Sequence, residues 1–69
     1  MKQSQKLRII RYFDNTSVTF FCKYKDIDSS LDNKTSGAVQ TAINEILKEP
    51  CKGISMTANG INIQVDLLD

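Results

Sequence analysis

The sequence predicts an α+β domain of two layers, ββαββ in order, with a four-stranded mixed sheet of strand order 2-1-4-3 and one helix packed on one face. Three observations carry this. Asn59-Gly60 stands between two runs that alternate apolar and polar residues, the pattern of a two-residue type I′ hairpin. Val18, Phe20, Cys22 and Tyr24 alternate with Thr19, Phe21, Lys23 and Lys25, the period of a half-buried strand. Between them Val39, Ala42, Ile43, Ile46 and Leu47 recur at helical spacing, and a single apolar stripe is buried by one face of a sheet.

The 69 residues make one domain, near the lower limit for folding without disulfides or metal. Residues 1–5 are polar and read as a flexible lead. Residues 6–25 read as the first hairpin, Lys6–Phe13 and Val18–Lys25 joined by Asp14-Asn15-Thr16-Ser17. A four-residue loop there pairs Phe13 with Val18, Ile9 with Cys22 and Leu7 with Tyr24 on the inner face. Arg11 then stands opposite Phe20, with its head expected to snorkel past the sheet edge. The outer face pairs Ile10 with Phe21, Tyr12 with Thr19, Arg8 with Lys23 and Lys6 with Lys25.

Residues 26–34 are polar and read as a loop anchored by Ile27 and Leu31. The spacing of Asp26, Asp28, Ser30 and Asp32 has the rhythm of an EF-hand calcium loop. Leu31 and Gly37 occupy the sixth and twelfth positions, where that loop requires Gly and a bidentate Glu. No metal site is expected.

The helix is expected over 35–49, with cap chemistry available at Asn33, Thr35 and Ser36. Pro50 ends it, because the residue before a proline is steered out of the α region. The second hairpin, 52–68, has its register fixed by its short turn. Ala58 faces Ile61, Met56 faces Ile63 and Ile54 faces Val65, so a slip by one residue would expose every apolar side chain. The core is expected to centre on Phe20, Ile43, Ile63 and Val65.

Placing the first and last strands as parallel central neighbours, with a right-handed crossover, gives the simplest sheet. That layout resembles the β-grasp fold of the immunoglobulin-binding domains of protein G. The likeness is topological and implies no function.

Composition narrows the chemistry. There is no His, so the usual base for Ser or Cys nucleophiles and the commonest metal ligand are missing. The three glycines are scattered and form no phosphate loop. No enzyme and no cofactor is expected. Cys22 and Cys51 fall on opposite edges of a 2-1-4-3 sheet, roughly 14 Å apart, too far for a disulfide. Free thiols fit a reducing compartment, the cytoplasm, or a host cytoplasm for a phage-encoded protein. No apolar run has the length of a membrane span, and the polar start is unlike a secretory signal.

Net charge is only +1, but residues 1–25 hold six cations against one anion, and residues 26–69 three cations against seven anions. Charge asymmetry of this kind points to an anionic partner for the first half. The predicted partner-binding residues are Lys6, Arg8, Ile10, Tyr12, Phe21, Lys23 and Lys25, cations interleaved with apolar side chains on the outer face. Two cationic pairs across one hairpin oppose folding, and a local rule broken in this way marks functional surface. The leading expectation is a small inhibitor, adaptor or regulator docking on a larger acidic protein. The alternative is nucleic-acid binding by the same face, with aromatics stacking on bases. A third expectation is an edge-strand homodimer, because Ile54 to Ala58 carries no charge.

Overall fold

Alternation and turn chemistry set the strands. β1 (Lys6–Tyr12) and β2 (Ser17–Lys23) form the first hairpin, and β3 (Gly53–Ala58) and β4 (Ile61–Leu68) the second. In the computed structural model, which describes residues 1–68, they join into one four-stranded sheet of order β2-β1-β4-β3. The α+β class, the strand order and the helix on one face are as the sequence predicts. One feature of the sheet differs. The central pair β1 and β4 is antiparallel, as are the two hairpins. The sheet is therefore not mixed, the parallel β-grasp pairing is absent, and the handedness rule for parallel crossovers does not govern it.

The cause lies in the segment read as a loop. After β2 the chain forms a 3₁₀ turn at Tyr24–Asp26 and a short helix, α1 (Ile27–Ser30). Four residues are too few to hold a helix by propensity. Ile27 and Leu31 hold it, at 1% and 8% exposed, and burying a side chain of this size stabilises by roughly 1.5–3 kcal/mol. This detour carries the chain from the Lys23 end of the sheet to the Arg11 end. There α2 (Asn33–Lys48) begins, and it descends to the end from which β2 left. β3 thus starts beside the end of β4, where Leu67 N–H donates to the Lys52 carbonyl at 2.7 Å. A direct loop would have led to the parallel arrangement.

α2 begins two residues before its expected start, with Asp32 at the N-cap. It ends at Lys48, and Glu49 leaves helical geometry (φ −125°, ψ 89°) ahead of Pro50. Val39, Ala42, Ile43 and Ile46 are buried as expected, joined by Thr35 and Ala38. Leu47 is 53% exposed, a correction to the predicted stripe, since its position falls to the flank of the arc made by the others. The helix packs on β3 and β4. Leu7, Ile9, Ile63 and Val65 complete the core beneath it, while Phe20 is only partly buried. Phe20 sits on β2, outside the cover of α2, so it is not a core centre.

The second hairpin has the expected register, Ala58 to Ile61, Met56 to Ile63 and Ile54 to Val65. Asn59 and Gly60 adopt φ of 54° and 76°, as a type I′ turn demands. The first hairpin is shifted by two residues. Its loop is Phe13–Thr16, closed by Phe13 N–H donating to Thr16 O at 2.8 Å. Ile9 therefore faces Phe20, Leu7 faces Cys22 and Arg11 faces Val18. An even shift leaves the inner and outer sets unchanged. The lead before β1 is tied down as well: Tyr24 and Lys25 N–H donate to Gln5 and Gln3 carbonyls at 2.8 and 3.1 Å.

Candidate functional site

With the helices on one side, the other face of the sheet is open, and its side chains fall in rows across the strands. Strand pairing places Phe21, Arg8, Asp66 and Gly53 in one row, and Thr19, Ile10, Gln64 and Ser55 in the next. Ser17, Tyr12, Asn62 and Thr57 follow toward the hairpin turns, while Lys23, Lys6 and Leu68 close the other end.

Six of the seven predicted residues share this face: Lys6, Arg8, Ile10, Tyr12, Phe21 and Lys23. Lys25 does not. It lies in the 3₁₀ turn, where the chain has left the sheet to bury Ile27, so the predicted Lys6–Lys25 pair is not formed. Arg8 faces Phe21 rather than Lys23, and Ile10 faces Thr19 rather than Phe21. Tyr12 in turn faces Ser17 rather than Thr19. A single cationic pair remains, Lys6 across from Lys23.

Arg8 is not a free cation. Its Nε and Nη2 lie 3.2 and 3.0 Å from Asp66 Oδ2. Gln64 Nε2 donates to the same oxygen at 3.0 Å, and Tyr12 Oη donates to Gln64 Oε1 at 3.1 Å. These four side chains make one polar network across β1 and β4. Gly53 completes it by omission, because a Cβ there would stand 2.3 Å from Asp66 Oδ1. Sequence reasoning missed Asp66, Gln64 and Gly53. Asp66 is the only anion on the outer face of β4, and antiparallel pairing would have set it opposite Arg8.

What the network leaves open is apolar and basic. Phe21 is 69% exposed, and Tyr12 is exposed beside a half-buried Ile10. Phe21 stands one residue pair from Lys6 and Lys23 on the edge strand. The face therefore offers an aromatic anchor with positive charge at one end and a fixed polar strip behind it.

Arg11 belongs to the inner face and has a different task. It stands between Val18 and Ile63, with its guanidinium 4.9 Å from the centre of the Phe13 ring. Nη1 donates to the buried Thr35 hydroxyl at 2.9 Å and lies 3.6 Å from Asp32 Oδ2. It reaches the first turn of α2 instead of passing the sheet edge. The Asp32 carboxyl is held below its ordinary value, first by the polar groups of Thr35 beside it and, against a smaller desolvation, by the Arg11 charge.

Both cysteines are free, Cys22 half-buried and Cys51 exposed. Burial, and then the Asp26 charge, push the Cys22 thiol up, away from a reactive thiolate. Among the described residues no three His, Cys, Asp or Glu side chains are grouped to hold a metal, and no helix is long and apolar enough to cross a membrane. Comparison with family models, characterised proteins and solved structures finds no match to this chain.

Proposed function

We propose that this chain is a small non-enzymatic interaction protein, of the inhibitor, adaptor or regulator kind. It docks through the outer face of β1 and β2 onto a larger protein with an acidic surface. The observation that carries this is Phe21, 69% exposed on an edge strand. A large aromatic left in solvent lowers solubility without stabilising the fold, whereas aromatic side chains dominate binding hot spots. Lys6 and Lys23 at its side supply steering toward negative charge. Arg8, paired with Asp66, serves to order the face rather than to contact a partner as a free cation.

The same pairing weighs against nucleic acid, since among the described residues it leaves only Lys6 and Lys23 as free cations on this face, and binding to a nucleic-acid backbone grows with the number of phosphates neutralised. The test is affinity purification with wild type and with Phe21→Ala and Lys23→Glu, followed by binding to the purified partner. Loss of at least tenfold affinity in Phe21→Ala, with an unchanged fold, is the expected result. Equal binding by all three proteins would remove this reading. A gel shift with single-stranded and duplex probes at low salt, steeply weakened by added salt, would replace it with nucleic-acid recognition.

A further inference from the structure

The two edges of the sheet are not alike. β2 ends in Lys23, directly across from Lys6, and two such edges brought together would concentrate positive charge. β3 is guarded less, since its one neighbouring cation, Lys52, stands just before the strand. From Gly53 to Ala58 it contains no charge and no proline, two of the devices that keep an edge from pairing.

The main chain of β3 is also disposed to pair. In an antiparallel ladder, hydrogen-bonded and non-bonded pairs alternate. A two-residue turn makes Ala58 and Ile61 a bonded pair, and Leu67 N–H to Lys52 O continues the same alternation at the far end. Ile54, Met56 and Ala58 thus direct their N–H and C=O groups to β4. Those of Gly53, Ser55 and Thr57 point off the edge of the sheet.

We propose that these groups pair with a second copy of this chain, β3 to β3, antiparallel about a two-fold axis at Ser55, giving one continuous sheet of eight strands. In that register Ser55 meets the partner's Ser55, and Gly53 meets the partner's Thr57, all through outward main-chain groups. On the inner face Ile54 meets the partner's Met56. Both are only partly buried in the single chain, so each has apolar surface left to cover. The sequence is its own complement in this register, as an isologous interface requires. α2 packs on β3 and β4 rather than on β1 and β2, so the helical layers of the two copies also meet over the joint. The face carrying Phe21 lies at the opposite edge and stays free, so a dimer would present it twice. This inference does not rest on the proposed docking function.

The interface is short, and the dimer is expected to be weak. Sedimentation equilibrium from about 10 μM to about 1 mM covers the affinities that a small interface gives. The wild-type mass should rise toward twice the 7.8 kDa of one chain. Ser55→Lys sets two lysines against each other on the axis and should stay monomeric, as should Ser55→Asp by repulsion of two carboxylates. An equimolar mixture of the two variants should recover the dimer. Amide exchange gives a second reading, because Ser55 and Thr57 N–H should slow with wild-type concentration while the remaining edge amides on β2 should not. A monomeric wild type at every concentration overturns the proposal, and so does a Ser55→Lys variant that dimerises like the wild type.

Discussion

Arg8 and Asp66 stand directly opposite each other on the two central strands, with Nε and Nη2 of the arginine 3.2 and 3.0 Å from one carboxylate oxygen. The arginine side chain is 43% exposed and the carboxylate 19%, so the anion is the more dependent partner. Without Arg8, Asp66 keeps only the Gln64 donor in a largely desolvated place. Arg8→Ala should cost about 1–2 kcal/mol, toward the lower end for a hydrogen bond to a charged group because the arginine is partly exposed. Urea unfolding with an unchanged m-value checks it. A midpoint equal to wild type would show that solvent replaces the arginine freely.

Gly53 is required by space and not by backbone conformation. A Cβ would meet Asp66 Oδ1 at 2.3 Å and the Val65 carbonyl at 3.1 Å. Asp66 cannot simply swing away, since Arg8 and Gln64 hold it. Gly53→Ala should therefore destabilise by about 1–3 kcal/mol. The cost should be smaller when introduced into Asp66→Ala than into wild type, a coupling that a double-mutant cycle measures. Strict additivity would place the strain on the Val65 carbonyl instead.

Gly60 presents the opposite case. Nothing lies within 4 Å of the place its Cβ would take, but its φ is 76°. Gly60→Val should lose about 1–3 kcal/mol through backbone strain alone, since a β-branched residue resists positive φ. The thermal midpoint reads this directly. A shift of less than a degree would mean that the hairpin accepts another turn.

The cluster at the start of α2 gives a pH dependence. Asp32 is held below its ordinary value of 3.8 in the folded chain by the neighbouring Thr35 and by the Arg11 charge. A depressed folded pKa contributes stability that is complete above the unfolded value and is lost as pH falls through the folded one. Asn also suits an N-cap, so Asp32→Asn removes the charge and little else. The stability gap between wild type and variant should be constant near neutrality and should close below about pH 4, where the unfolded carboxyl becomes protonated. Chemical denaturation at a series of pH values tests this, and a gap independent of pH would assign the site to hydrogen bonding alone.

These cases show what the sequence makes legible. The Asn59-Gly60 turn fixes its own register because two residues leave no slack, and the faces of both hairpins follow from a period of two. The first hairpin differs by two residues because Phe13 joins the loop and Ser17 the strand, a choice made by a main-chain bond that composition does not report. The direction of β4 against β1 depends on whether residues 26–32 run straight or coil. A single helical turn has no periodicity to read, and its one trace is the i, i+4 pair Ile27 and Leu31. The open basic-aromatic face was visible in the pattern. The pairing of Arg8 with Asp66 was not, because it depends on that same strand direction.

The remaining cationic pair separates fold from function. Lys6 and Lys23 are opposite one another and both exposed, so each repels the other by a few tenths of a kcal/mol up to about 1. Lys23→Glu converts the repulsion to attraction and should raise stability by a similar amount, the gain shrinking with salt as exposed charges are screened. Under the proposed docking function, the same change should weaken association with an acidic partner, mainly by slowing encounter. Higher stability together with slower association would mean that Lys23 is kept for binding against the interest of the fold. Higher stability with association untouched would leave Lys23 as a guard of the β2 edge alone, with the docking surface confined to Phe21 and Tyr12. No gain in stability at low salt would show that the two ammonium groups already turn apart into solvent.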